Sequence, residues 1–181
     1  MKQLINCIAL FMVMSFMSND TVYKYSITAS DGEETSLAKF SGKLMLIVIL
    51  PATHTATDSL FLLQIDSLGK EYKDSLVIIG VPSYEDGFED DSLLSLTTWY
   101  KSLAGDSIII TQGNNTRKSS PYQSELFQWL TNKDLNGHFD DDVSGASVKY
   151  FINRSGNLFA VLGEEVSLIN ETVETILKNN N

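Results

Sequence analysis

Cysteine is almost absent from this sequence. Among 181 residues there is one cysteine, Cys7. A lone thiol supports neither an internal disulfide nor a cysteine zinc site. Proline is scarce too, at 3 residues, and no low-complexity linker or internal repeat interrupts the chain. With 43% hydrophobic and 20% charged residues, the composition suits one compact domain with a sizeable core. Positive charge is in deficit: 13 Lys and Arg stand against 23 Asp and Glu, a net charge of −10. That excess repels phosphate backbones and anionic lipid surfaces, so nucleic-acid and peripheral-membrane partners are not expected.

What is present starts with a leader. Met1-Lys2 precedes an apolar run from Leu4 to Met17, the charge and length of a secretory signal. Asn6 and Ser15 interrupt it, and it is short for a transmembrane span. With Ser18 as the last leader residue, Phe16 occupies a position where cleavage favours a small side chain, so an uncleaved anchor is the alternative. The expectation is a signal or anchor at 1–18, a domain at 22–178, and export to the periplasm or beyond, with no membrane span in the mature chain. Cys7 lies inside the leader, so its removal leaves a chain without any thiol.

The rest reads as alternating strands and helices. "VYKYSITASDGEETSL" alternates around Asp31-Gly32, which predicts a hairpin. "KLMLIVIL" (43–50) is continuously apolar, as a strand buried on both faces requires. Between Ser59 and Lys73, Phe61, Ile65, Leu68 and Tyr72 recur at helical spacing. "SLVIIGVP" (75–82) is a second buried strand, and strand, helix, strand implies a parallel crossover. The acidic "SYEDGFEDDS" reads as a solvated loop, followed by a helix through Trp99 and a short strand "SIII". Pro121 is placed as the first residue of a helix carrying Leu126, Phe127 and Leu130. "SVKYFINRSGNLFAVLG" is an antiparallel hairpin around Arg154-Ser155-Gly156, and a last helix runs from about Ser167 to Leu177. Trp99 and Trp129 fall on helices and are expected to pack into the core.

These words in this order resemble the glutathione peroxidase family of thioredoxin-fold proteins. The resemblance rests on "YKYSITASDGEETSLAKFSGKLMLIVIL", "EYKDSLVIIGVP", "LFQWLTNK" and "VKYFINRSGN", spanning about residues 23 to 163. It implies an α/β thioredoxin-like fold: a central mixed β-sheet, an N-terminal β-hairpin and helices on both faces. The short connection ahead of Lys149 resembles smaller family members without an assembly loop, which implies a monomer.

The family's chemistry uses a selenocysteine or cysteine together with glutamine, tryptophan and asparagine; the chalcogen anion attacks the peroxide bond and the others orient it. Counting forward from Gly42-Lys43 puts the chalcogen position at His54, and counting back from Tyr72 puts it at Ala56. Anchored by Pro82 and Gly87, the second motif has Ser83 where cysteine is common, Tyr84 for asparagine, and Glu85 at the glutamine. Read back from Lys149, Gly145 stands at the tryptophan and Ala146 at the asparagine. No catalytic position matches.

The family's site geometry implies that Glu85 comes near His54, and with the hydroxyls of Thr53, Thr55 and Thr57 this offers an acid–base alternative, although imidazole forms no sulfenic acid for a thiol to resolve. The plainer reading makes His54 an exposed loop residue, and His138 a turn residue among acids. "NKDLNGHFDDDV" imitates a calcium loop through Asn132, Asp134, Asn136 and Gly137, but Val143 replaces its bidentate glutamate, so no metal site is assigned. Four Asn-x-Ser/Thr sequons begin at Asn19, Asn114, Asn153 and Asn170 and matter only in a glycosylating host. The resulting expectation is a peroxidase-family protein without its catalytic set, exported and serving as a binding or structural module for an unidentified protein or small molecule, with no cofactor. The alternative is a thiol-dependent peroxidase acting in oxidative stress, with glutathione or thioredoxin as reductant.

Overall fold

In the computed structural model, residues 20–179 are described, so the leader at 1–18 lies outside them. The strands are β1 (Ser26–Thr28), β2 (Glu34–Ser36), β3 (Leu44–Leu50), β4 (Leu76–Pro82), β5 (Ile109–Ile110), β6 (Lys149–Ile152) and β7 (Leu158–Leu162). The α-helices are α1 (Ala56–Glu71), α2 (Leu93–Ala104), α3 (Glu125–Thr131), α4 (Lys133–Asn136) and α5 (Glu171–Asn179). Five strands form one mixed sheet in the order β5-β4-β3-β6-β7, and β1 with β2 forms a separate hairpin.

Every residue of β3 is buried. Side chains alternate across a strand, so a run with no polar residue demands cover on both faces. Leu44, Leu46, Val48 and Leu50 meet Leu62 and Ile65 of α1, Tyr100 of α2, and Val173 and Leu177 of α5. Met45, Ile47 and Ile49 face the other way, onto Phe127, Trp129 and Leu130 of α3 and onto Ile27 and Leu37 of the N-terminal segment. Each such side chain contributes about 1.5–3 kcal/mol on burial, so the central strand is the main anchor of the domain. β3 pairs with β4 in parallel, from Leu44 opposite Leu76 to Leu50 opposite Pro82, with α1 as the crossover. β6 runs antiparallel to β3, and β7 to β6.

Both hairpins, the two buried strands and the two-faced arrangement of helices agree with the sequence pattern. Three boundaries differ. α1 starts at Ala56, three residues ahead of Ser59, because Thr55 and Asp58 form a capping box there. Pro121 does not open α3: Ser124 is the N-cap residue, and 117–123 turn through Ser120 N–H to Arg117 O and Gln123 N–H to Ser120 O. α5 begins at Glu171 because Gln64 Oε1 accepts from both Ser167 Oγ and Leu168 N, holding that segment as a turn against α1. Trp129 is fully buried, its indole N–H donating to Asp20 O at 2.8 Å, whereas Trp99 is only half-buried.

Candidate functional site

Three loops meet at the carboxyl ends of β3 and β4, where open α/β sheets place ligands. The first leaves β3 at Pro51, whose carbonyl accepts the buried Tyr100 hydroxyl at 2.8 Å. It enters α1 through Thr55. Thr55 Oγ1 accepts from Asp58 N at 3.1 Å, while Asp58 Oδ2 accepts from Thr55 N at 3.1 Å and from Thr53 Oγ1 at 2.6 Å. A helix N-terminus favours an anion because its first N–H groups lack partners and its dipole is positive there. Here that place is taken by Asp58. Ala56, the first helical residue, is exposed. His54 is exposed as well and lies against Trp99 of α2, with ring centroids 4.2 Å apart and planes tilted by 53°.

The second loop corrects the solvated-acid expectation for two of its residues. Glu85 and Asp86 turn inward, because Ser83 bridges Asn114 in parallel and draws the 114–117 segment alongside. Glu85 Oε2 accepts from Thr116 N at 2.9 Å and from the hydroxyls of Thr116 and Ser83 at 3.2 Å each. Those hydroxyls lie 3.0 Å from each other. Asp86 Oδ1 pairs with Arg117 Nη2 at 2.6 Å, and the Asp86 side chain is only 10% exposed. Glu85 Oε1, Asp86 Oδ2 and Arg117 Nε are buried without a protein partner. Glu89, Asp90 and Asp91 remain in solvent. Tyr84 donates its hydroxyl to Asp90 Oδ1 at 2.7 Å, a bond that pushes its pKa up to about 12, and its ring packs on Phe88.

The third loop holds Gly145, Ala146 and Ser147. Ser147 N donates to Ile49 O at 2.8 Å, tying the loop to the end of β3. Ser147 is the one non-glycine residue at positive φ (65°) among the described residues, a conformation that costs about 1–3 kcal/mol when surroundings hold it. A Cβ on Gly145 would have Asp86 Oδ1 as its nearest neighbour, at 3.9 Å, and one on Gly87 would meet Ala52 Cβ at 3.9 Å. The fold thus brings Ala52, the Glu85–Asp86 pair and Gly145 together. It does not join His54 to Glu85: the first packs on Trp99, the second bonds to Thr116 and Ser83. Ala146 packs half-buried against the second core cluster.

Other motifs are absorbed by local structure. Asn132 caps α4 by accepting from Asp134 N at 2.9 Å, and Asn136 spends its amide on Trp129 O and Phe139 O and its oxygen on His138 N and Phe139 N. Groups of three or more His, Cys, Asp or Glu able to hold a metal are absent among the described residues. No described helix is long and apolar enough to cross a membrane. Thr116, Arg117 and Asp58 emerge only from the structure, though Thr55-x-x-Asp58 matches a capping pattern visible in the sequence. So does the burial of Lys149, which donates from Nζ to Gly163 O at 2.8 Å and sits 5.5 Å from the Phe61 ring centroid. Burial lowers its pKa to about 8.

No protein-family model matches the sequence, and no curated protein matches it. Solved structures do. Trgpx in its apo form is similar at 18% identity and a TM-score of 0.64, over 89% of this chain and 95% of that one. T. cruzi GPX1 is similar at 14% and 0.64, over 89% and 96%. A thioredoxin-family thiol:disulfide interchange protein from Chlorobium tepidum TLS is similar at 17% and 0.62, over 90% and 97%. The chain has a thioredoxin-like fold. At these identities the likeness carries architecture, and in this thioredoxin-like chain the chemistry has to be read from its own side chains.

Proposed function

We propose that this protein is an exported, glutathione-peroxidase-like chain that does not cycle peroxide and serves as a binding or structural module. The Asp58 cap carries this reading. A peroxidatic thiolate needs the positive end of a helix or a neighbouring cation to stay ionised. At the β3–α1 junction that end is already neutralised by a carboxylate, and no sulfur stands at His54 or Ala56. The remaining positions support the same view. Glu85 is held by three donors, and Gly145 and Ala146 have no polar side chain to orient a chalcogen. Likeness in fold to Trgpx and T. cruzi GPX1 supports the ancestry and says nothing of turnover.

The test is peroxide consumption by the purified chain, with and without residues 1–18, using glutathione or thioredoxin as reductant. The expected rate equals the protein-free blank in all four combinations. Turnover above the blank overturns the reading in favour of a thiol-dependent peroxidase, and turnover confined to the chain that retains Cys7 locates the sulfur responsible.

A further inference from the structure

Away from the β3–α1 junction, the N-terminal hairpin and the stretch after β5 enclose a pocket of about 420 Å³. It is a slot where a strand pairing breaks off. Ala29 bridges Thr111 in antiparallel fashion, Ser30 N donates to Ile110 O at 2.8 Å, and Gln112 N donates to Thr28 O at 2.9 Å. Beyond that bond the pairing stops. In the hairpin, Leu37 N donates to Tyr25 O and Ala29 N to Glu33 O, so alternate residues carry the β1–β2 ladder and the backbone groups of Ser26 and Thr28 point the other way, toward 112–114. Ser26 N–H, Ser26 C=O and Thr28 N–H are thereby left without a protein partner among the described residues. On the far wall Gly113 spends neither of its backbone groups, and Ser124, which also lines the slot, has its hydroxyl buried without a partner.

The order of these open groups selects a peptide main chain. Donor and acceptor on Ser26, followed by a donor on Thr28, are what an added antiparallel strand pairs with. The slot is blind at the Thr28 end, where the Gln112 bond and the Ala29–Thr111 bridge seal it, so a chain that enters has to end there. Glu34, opposite Thr28 in the hairpin, lines that end, and Glu125 lines the α3 side. Both are exposed, and neither has a cationic partner among the described residues. Lys24, the cation of the lining, is already held by Asp20 at 2.6 Å. A terminal carboxylate at the blind end meets Glu34 as a like charge; a terminal ammonium is matched by it. We infer that the slot captures the free amino terminus of a short extended peptide. The carbonyl of its first residue accepts from Thr28 N–H, its third residue exchanges both backbone bonds with Ser26, and its ammonium faces Glu34. The volume lies within the range of about 300–1,000 Å³ usual for small-ligand pockets. This inference does not depend on whether the β3–α1 site is redox-silent.

The probe is trialanine amide with a free amino terminus, titrated into the isotope-labelled protein and followed by amide chemical shifts, with N-acetyl-trialanine amide as control. The expected result is saturable shifts at Ser26, Thr28 and Gly113, with affinity at least about tenfold lower for the acetylated peptide, which loses the charge and adds bulk at the blind end. Glu34→Gln weakens binding by about two- to fivefold, as an exposed ion pair allows. Ser26→Pro removes the outward N–H while leaving the β1–β2 ladder bonded, and weakens binding by about fivefold or more. Absence of saturable shifts, equal affinity for the acetylated peptide, shifts confined to other residues, or unchanged affinity in Glu34→Gln or in a Ser26→Pro protein with native hairpin amide exchange each overturns the inference. If Ser26→Pro disturbs the hairpin, the acetylated control and Glu34→Gln still decide it.

Discussion

Placing a thiol at the β3–α1 junction tests whether that junction still favours an anion. Consider Ala56→Cys in the chain lacking residues 1–18, where it is the only thiol. An unperturbed cysteine titrates near about 8.5. The dipole of α1 stabilises a thiolate by about 0.3–1 kcal/mol at an exposed position, which is less than one pKa unit at about 1.4 kcal/mol per unit. Asp58 acts against it, since two like charges about 4 Å apart repel by about 1 kcal/mol in water and by about 4 kcal/mol at an effective dielectric of about 20. Ala56 is exposed and Asp58 half-buried, so the lower part of that range applies. The opposing effects cancel or leave repulsion in excess. The introduced thiol is therefore expected to titrate at about 8.5 or above. Asp58→Asn removes the charge and keeps an oxygen to accept from Thr53 and Thr55, so in that background the thiol pKa falls by about one unit. The assay is the pH dependence of alkylation by iodoacetamide, with sulfenic acid trapping after one equivalent of peroxide as the chemical readout. A strongly acidic thiol with Asp58 in place, or a titration that ignores Asp58→Asn, refutes the argument.

Three further outcomes follow from the packing. Lys149 holds its proton less tightly folded than unfolded, so between about pH 8 and 10.5 the unfolded state binds more protons and stability rises with pH. Lys149→Met removes a penalty of up to about 3 kcal/mol below pH 8, and urea midpoints of the two proteins should converge as the pH rises through that window. Glu85→Ala strips the acceptor from Thr116 N and from two hydroxyls, for a loss of about 1–3 kcal/mol in denaturant unfolding; an unchanged midpoint means the inward-turned cluster does not support the loop. Gly69→Ala puts a Cβ 2.4 Å from Ser107 Cβ, so overpacking of about 1–3 kcal/mol outweighs a helix-propensity gain of about 1 kcal/mol, and the melting temperature should drop.

Much of the fold is legible in the sequence because it depends on spacing between near neighbours. Seven apolar residues in a row, three of them β-branched and too few for a typical helix, read as a strand covered on both faces, and Phe61, Ile65 and Leu68 at helical intervals name the face of α1 that covers one of them. The lack of sulfur at His54 and Ala56 is equally a property of the sequence. The boundaries at Pro121 and Ser167 were not legible, since one depends on a turn closed through Arg117 and the other on Gln64, 103 residues from Ser167. The same holds for the candidate site. Composition makes Glu85 and Asp86 part of an exposed acidic run; the structure turns them inward onto Thr116 and Arg117, 31 residues away. Local pattern determines which residues form an element and which face is apolar, because those effects act within a turn or two. The partners of a polar side chain depend on which distant segments the sheet order brings beside it, and that is decided only when the whole chain packs.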